Sequence, residues 1–103
     1  MLIYKIFRQS EWDALVANGQ TAGAPIDLTD GYIHFSTRET VEETAAKHFA
    51  TETDLILAAV DAEDLGDALK WEISRGGIKF PHLYAKLKHS DVKSHAPLPK
   101  SAD

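Results

Sequence analysis

The stretch DLILAAVD, residues 54–61, is almost entirely apolar between two aspartates. An apolar run of this length, without the alternation of a half-buried strand, is typical of a strand covered on both faces. The sequence therefore predicts a central strand here, with the other elements packed around it. LIYKIF, residues 2–7, is rich in β-forming residues and predicts a further strand at the start of the chain.

Further strands are predicted on both sides of this run. They are YIHFS at 32–36, KWEIS at 70–74, FPHLYAKL at 80–87 and a last short strand within HSDVKSHAPL at 89–98. Pro81 lacks a backbone N–H to donate, so we expect it at the beginning of its strand or on a sheet edge. Trp71 is expected in the core.

Two main helices are predicted. Ser10 is a candidate N-cap for the first, which Gly19 ends, with one face formed by Trp12, Leu15 and Val16. Residues 20–31 are rich in glycine, proline and aspartate and predict a surface loop. The run from Ser36 to Glu39 has the pattern of a capping box and predicts a second helix over about 38–50.

Strands outnumber helices and do not alternate with them as regular βαβ units. The pattern therefore predicts an α+β domain over residues 1–98, with a mixed or antiparallel sheet and two main helices. Residues 99–103 are expected to be a frayed tail.

Composition limits the classes of function. The chain has 103 residues, a net charge of −5 and no cysteine, which excludes disulfides, thiolate metal sites and cysteine nucleophiles. Its eleven basic residues are scattered, which argues against binding DNA through the phosphates but leaves a small anionic ligand open. No signal-peptide layout or membrane-length apolar run occurs, so we expect a soluble cytoplasmic protein without membrane partners.

GYIHFST, residues 31–37, has an imidazole inside an apolar strand. Alternation places Tyr32, His34 and Ser36 on one face, and Ile33 and Phe35 on the other, where they would contact the core. The three polar side chains form one wall of a ligand site, or they are simply the solvated face of a half-buried strand.

FPHLY repeats this chemistry, because His82 and Tyr84 share one strand face. In one interpretation, the two strands face one ligand. In the other, His82 is a hydrogen-bonded internal histidine and Tyr84 reaches solvent. Lys5 is unusual in an apolar strand, although lysine also protects sheet edges from pairing. Glu72 is either an exposed strand residue or a carboxylate of the site.

Several motifs are missing. The five histidines show neither HxH nor HxxxH spacing, so no metal site is predicted. The phosphate-binding glycine motifs and the nucleophile elbow are absent from the sequence as well.

The segments quoted above, in this order, resemble the bacterial domain-of-unknown-function family 952, with GYIHFST and FPHLY as the more specific motifs. The resemblance covers nearly the whole chain, from Leu2 to about Leu98. It implies a fold similar to ADP-ribosyltransferases and RNA 2′-phosphotransferases, in which mostly antiparallel strands form two small sheets around a cleft. Proteins of that fold bind NAD or an ADP-ribose group.

Residue by residue, the resemblance implies three positions that contact the ligand. The first lies around Tyr4 and Lys5, where relatives often carry histidine instead of the lysine. The second lies on the segment from His34 to Thr37. The third lies near His82 and Tyr84, with Glu72 as the nearest strand carboxylate. In this interpretation His34 and His82 are catalytic, and the ligand contacts are Lys5, Tyr32, Ser36, Thr37, Glu72 and Tyr84.

The expected function is therefore binding of NAD, or another nucleotide-like small molecule, followed by transfer of ADP-ribose or a related glycosyl group. NAD would be a substrate and no metal is expected. The alternative is a non-catalytic binding module on the same fold, because the usual catalytic glutamate has no clear counterpart in FPHLY.

Overall fold

Strands and helices follow one another along residues 1–98, the part of the chain that the structure, a computed structural model, describes. The strands are β1 (Leu2–Arg8), β2 (Gln20–Thr21), β3 (Ile33–His34), β4 (Leu55–Asp61), β5 (Leu69–Ile73), β6 (Lys79–Leu83), β7 (Leu87–Lys88) and β8 (Val92–Pro97). The α-helices are α1 (Gln9–Asn18), α2 (Pro25–Asp30) and α3 (Val41–His48). Short 3-10 segments lie at Ala62–Ala68, Arg75–Gly77 and His89–Asp91. The tail predicted at residues 99–103 lies outside the described residues.

The first sheet has the order β1-β4-β8, and both of its pairings are antiparallel. β4 is its central strand, as the apolar run at residues 54–61 predicts, and five of its seven residues are buried. β1 pairs with β4 along its whole length, from Leu2 opposite Asp61 to Arg8 opposite Leu55. The predictions of strands at residues 2–7 and 54–61 are confirmed.

The second sheet has the order β3-β6-β5 and is also antiparallel. β2 and β7 form a separate two-stranded ribbon, so residues 1–98 hold three sheets rather than the expected two. The strand predicted over residues 80–87 is interrupted after Leu83, and of its remainder only Leu87 belongs to this ribbon. The coarse prediction of an α+β domain with antiparallel sheets is confirmed.

Pro81 lies in the middle of β6, the central strand of the second sheet, and not at a strand start or a sheet edge as expected. Its carbonyl accepts a hydrogen bond of 3.0 Å from the Phe35 amide. The proline nitrogen carries no hydrogen, so it cannot donate a hydrogen bond to the neighbouring strand in return. The paired residues of β3 and β6 end next to Pro81, at His34 and His82. A short neighbouring strand therefore accommodates a proline in a central position.

The first helix starts earlier than predicted. α1 begins at Gln9, and the Glu11 carboxylate accepts a hydrogen bond of 2.9 Å from the Arg8 amide, so Ser10 is not the N-cap. Gly19 ends the helix in the left-handed conformation, as predicted. Residues 20–31 are not a plain loop, because they contain both β2 and α2.

The second predicted helix starts later than expected. Ser36 has no capping role, because the N-cap position of this helix is Thr40. Ser36 instead forms an isolated β-bridge with Tyr4, with hydrogen bonds of 2.7 and 2.8 Å. A turn follows, in which the Thr40 hydroxyl accepts from the Thr37 amide at 3.0 Å, and α3 begins at Val41.

The main core lies where α1 and the strands pack together. Its buried members are Ile3, Phe7, Trp12, Leu15, Ile33, Phe35, Ile56, Ala58, Val60, Leu83 and Leu87. Val16 was expected to share the apolar face of α1 but is exposed, since Trp12 and Leu15 turn the other side of the helix inward. Trp71 was expected in the core but is 38% exposed, because β5 is an edge strand. None of the helices within residues 1–98 has the length and hydrophobicity needed to cross a membrane.

Candidate active site

A cavity of about 460 Å³ opens between the two three-stranded sheets. β1, α2, β3, α3 and β6 all contribute side chains to its wall. Of the eight residues assigned to the catalytic and ligand contacts from the sequence, four line it, namely Lys5, His34, Ser36 and His82. Its size lies in the ordinary range for sites that bind small molecules.

His34 and His82 face each other across β3 and β6. The two residues are directly paired in the strand register, and their ring centroids are 5.4 Å apart. Ile33 and Phe35 turn into the core, as the alternation predicts. The pairing of two short strands therefore brings together imidazoles that lie 48 residues apart in sequence.

Each ring nitrogen of His34 faces a carboxylate of α2. Nδ1 lies 2.6 Å from Oδ1 of Asp27, and Nε2 lies 3.0 Å from Oδ2 of Asp30. The Asp27 carboxylate also accepts from the His34 amide at 3.1 Å. An imidazole can donate from both ring nitrogens only when it carries its second proton. The two carboxylates of α2 together fix the orientation of the His34 ring.

Lys5 is buried and forms an ion pair with Asp27. Its Nζ lies 2.9 Å from Oδ2 of Asp27 and donates a longer hydrogen bond of 3.3 Å to the His34 carbonyl. The alternative that Lys5 protects a sheet edge does not hold, because the side chain points into the interior. The lysine is held in place by its charge partner.

The Asp27 carboxylate is only 1% exposed. Burial raises its pKa, but the hydrogen bond to His34, the charge of Lys5 and the Ala24 amide at 2.8 Å outweigh that effect and lower the pKa to about 2. Asp27 therefore stays ionised throughout the physiological range and fixes both Lys5 and His34.

His82 has a carboxylate partner of its own. Nδ1 lies 2.9 Å from Oε1 of Glu72, and the Tyr84 hydroxyl donates to the same oxygen at 2.7 Å. Both hydrogen bonds lower the pKa of the Glu72 carboxyl, and the one from Tyr84 has the larger effect. The Tyr84 hydroxyl is correspondingly harder to ionise, and its pKa rises to about 12.

The second ring nitrogen of His82, Nε2, makes no hydrogen bond to any residue among 1–98. Within that part of the chain, however, every fully enclosed side-chain nitrogen or oxygen has a partner. Because His82 lines the cavity and is otherwise buried, Nε2 reaches the cavity space. An imidazole held through Nδ1 by a carboxylate and open at Nε2 can act as a general base.

Tyr32 packs over both histidines. Its ring centroid lies 4.1 Å from that of His82, 4.6 Å from that of His34 and 5.2 Å from that of Tyr84. Burial, together with the nearby charges of Asp30 and Glu72, raises the pKa of Tyr32. The ring limits the positions that the two imidazoles can adopt.

Seven of the eight residues predicted for the site form two groups. Lys5, His34, Ser36 and His82 line the cavity, whereas Tyr32, Glu72 and Tyr84 support His82 from outside that wall. Ser36 donates to the Thr44 hydroxyl at 3.1 Å within the cavity. Thr37 is not part of the wall, because its hydroxyl lies 3.0 Å from that of Thr40 in the turn before α3.

Asp27 and Asp30 were not predicted, although both line the cavity. The signal that would have found them is the pattern PIDLTDG, in which Pro25 starts and Gly31 ends a short helix with aspartates three residues apart. Lys5 in an apolar strand is a second signal, since a buried lysine requires an anionic partner.

The site offers hydrogen bonding and proton transfer. Within residues 1–98, no group of three or more histidine, aspartate or glutamate side chains is arranged to hold a metal ion. The apolar part of the cavity wall includes Ile6, Ile26, Phe35, Phe49 and Phe80. A ligand with both a polar group and an apolar ring would be complementary to such a wall.

Comparison with known proteins gives a family and closely similar solved structures of one protein. The model of the family described as "Protein of unknown function (DUF952)" matches residues 6–95. The crystal structure of protein CC0527 from Caulobacter crescentus is 52% identical, with a TM-score of 0.96 over 100% of this chain and 90% of that chain. The solution NMR structure of CC0527 has 52% identity and a TM-score of 0.87 over 98% of this chain and 87% of that chain. No curated protein matches the sequence.

Proposed function

Because the chain belongs to the DUF952 family, whose description assigns no activity, we propose a function from the chemistry of the cleft. The cleft binds NAD or a related ADP-ribose nucleotide and acts on the bond between ribose and nicotinamide. The similarity to the ADP-ribosyltransferase fold, with its cleft between small antiparallel sheets, is part of this proposal.

The observation that carries the proposal is the facing pair of histidines. His34 and His82 lie on neighbouring strands with ring centroids 5.4 Å apart, and a carboxylate holds Nδ1 of each ring. Orientation through Nδ1 fixes which nitrogen is presented to a ligand. The structural alternative, a solvated polar strand face, does not explain why both histidines line one cavity with a carboxylate at Nδ1 of each ring.

The two histidines differ in the role that their surroundings favour. His34 lies between the two carboxylates of α2, which places its ring nitrogens as hydrogen-bond donors, and in this role it contacts the ligand. His82 has Nε2 open to the cavity and Glu72 behind it, which suits a general base. Ser36 and Thr44 provide hydroxyls that can contact the ribose.

In the reaction, Nε2 of His82 takes a proton from a water molecule or an acceptor hydroxyl, whose oxygen attacks the anomeric carbon of the ribose. The bond to nicotinamide breaks, and its electron pair stays on the ring nitrogen, so the pyridinium leaves as neutral nicotinamide. Glu72 stabilises the imidazolium that forms on His82.

Nicotinamide release from NAD tests the proposal directly. We expect slow release by the wild-type protein and a loss of about 100-fold or more in kcat for His82→Gln, as for removal of a general base. His95→Gln is the matched control, because His95 is exposed and packs on Trp12 away from the cavity. A turnover unaffected by His82→Gln, or no heat on titration with millimolar NAD or ADP-ribose, would contradict the proposal.

A non-catalytic binding module is the second candidate. It is favoured by the position of Glu72, which supports His82 from outside the cavity wall, and by the ion pair that neutralises Asp27. Among residues 1–98, the carboxylates that line the cavity are then those of α2, Asp27 and Asp30. Binding of ADP-ribose by calorimetry without nicotinamide release from NAD would select this candidate.

A further inference from the structure

The two carboxylates that contact His34 are held in different ways. Asp27 is enclosed and accepts hydrogen bonds from Lys5, from the backbone and from the Nδ1 side of His34. The Asp30 side chain is 37% exposed, and its one close polar contact within residues 1–98 is the 3.0 Å approach to Nε2 of His34. Asp27 is therefore held by several partners, whereas Asp30 is held by one.

The position of Asp30 in the chain allows it to move away. It is the last residue of α2, and Gly31 follows in the left-handed conformation, with φ of 86°. Rotation about its side-chain bonds would take the carboxylate from the cavity wall into solvent. A partly exposed ion pair contributes little to stability, so a ligand can replace it at small cost.

Charge determines what would replace Asp30. Lys5 and His34 are the positive groups of this cluster when His34 donates from both nitrogens, and Asp27 and Asp30 are the negative groups. The cluster is then neutral as a whole. With Asp30 turned away, one positive charge remains, and the Nε2 hydrogen of His34 points into a cavity without its acceptor.

We propose that Nε2 of His34 is the binding position for a phosphate oxygen of the ligand, and that Asp30 competes with the ligand for it. This inference rests on the proposed function for the use of the cleft as a ligand site, and it names the charged group that the site recognises. Phosphate oxygens are strong acceptors, and a charged imidazole is a suitable donor to them. The same chemistry is present in the diphosphate of a nucleotide and in free pyrophosphate.

Asp30→Asn tests the competition because it removes the negative charge with almost no change in shape. Calorimetry compares ADP-ribose, inorganic pyrophosphate and adenosine on the wild type, on Asp30→Asn and on the control Asp67→Asn. Asp67 is exposed in the segment Ala62–Ala68 and does not line the cavity. We expect Asp30→Asn to bind the two phosphate ligands roughly three- to tenfold more tightly, while adenosine binding and the Asp67→Asn control stay unchanged.

Each other result has a definite meaning. Equal or weaker binding of both phosphate ligands by Asp30→Asn overturns the inference, and so does the absence of binding by any variant. Tighter pyrophosphate binding without ADP-ribose binding supports the phosphate position and overturns the proposed function instead. Tighter ADP-ribose binding without nicotinamide release supports the phosphate position together with the non-catalytic module.

A spectroscopic measurement keeps the test independent of affinity. The 15N signals of the His34 imidazole should shift in Asp30→Asn, because Nε2 loses a charged acceptor, and pyrophosphate should shift them in the same protein. His34→Gln should abolish the gain in affinity when combined with Asp30→Asn. Pyrophosphate binding that leaves the His34 signals in place would overturn the inference even if the affinity rises.

Discussion

The Asp27 carboxylate connects three segments that are distant in sequence. It is bound by Lys5 from β1, by the Ala24 amide before α2 and by both the amide and the ring of His34 from β3. A buried carboxylate is unfavourable without such partners, so the same contacts that make it tolerable also define where the histidine lies. Stability and site geometry therefore depend on one side chain.

The lowered pKa of Asp27 predicts how stability responds to acid. The pKa is about 2 in the folded chain against an ordinary value of 3.8, so the carboxylate stabilises the fold fully above about pH 4. The stabilisation disappears as the pH falls towards 2, and about 2 kcal/mol is lost from this group. Urea unfolding between pH 5 and pH 2 measures the loss; a free energy independent of pH in that range would contradict the prediction.

Replacement of Asp27 by asparagine should be strongly destabilising. Asp27→Asn leaves the Lys5 ammonium buried without a counter-ion, and breaking a buried pair in this way costs about 3 to 5 kcal/mol. Asp67→Asn, which removes an exposed carboxylate, should change the free energy of unfolding by less than about 0.5 kcal/mol. The pH dependence between 4 and 2 should also become flatter in Asp27→Asn, which a purely steric defect would not cause.

Helix α2 is held to the rest of the molecule mainly by charge. Asp27 is the buried residue of α2, whereas Ile26 and Leu28 of the same helix are exposed. Gly23 precedes the helix with φ of 111°, and a Cβ atom at this position would lie 2.5 Å from the side chain of Asp27. The backbone before α2 is therefore shaped to leave room for the carboxylate.

Gly23→Ala should disturb the site through this contact. The substitution introduces both an unfavourable φ and a collision with Asp27, and we expect a loss of about 2 to 4 kcal/mol. Gly76→Ala is the matched control, since Gly76 also has a positive φ but a Cβ atom there would meet no other atom within 4 Å; it should cost about 1 kcal/mol. Equal losses in thermal or urea unfolding would show that backbone strain alone is responsible.

The elements predictable from sequence are those whose signal is local. Apolar runs and β-forming residues identified β1, β4 and β5, and face alternation placed His34 and His82 on polar strand faces. The capping box predicted at residues 36–39, and with it the start of the second helix at about residue 38, was wrong because Ser36 forms a bridge with Tyr4, a contact 32 residues away that no local pattern reports. α2 was missed because its turn-forming residues resemble a loop.

The carboxylates of α2 were missed for a related reason. Asp27 is buried only because Lys5 and His34 approach it from two sheets, so its role depends on tertiary packing rather than on its neighbours in sequence. Trp71 shows the reverse case: an aromatic residue that pattern assigns to the core becomes exposed because β5 is an edge strand.

At the scale of the molecule, the two three-stranded sheets of residues 1–98 are joined around the cavity. The bridge between Tyr4 and Ser36 connects the first sheet to the segment that follows β3, and the ion pair of Lys5 with Asp27 adds a second connection. Because the site lies between the two sheets, its geometry depends on both of them being folded.

Hydrogen exchange should distinguish the sheets. β4 is paired on both sides and buried, so its amides should be the slowest to exchange among residues 1–98. The ribbon of β2 and β7 has two residue pairs and should exchange by local opening, at least about 100-fold faster than β4. Similar rates measured by NMR in both regions would indicate global unfolding as the one exchange route.

The direct pairing of His34 with His82 also has a consequence for sequence change. Successive residues of a strand face opposite sides, so a one-residue insertion or deletion in either β3 or β6 would turn one imidazole towards the core while backbone pairing continued. We therefore expect insertions and deletions among relatives to be absent from these two strands and concentrated in the turns, even where the residues of the strands are substituted.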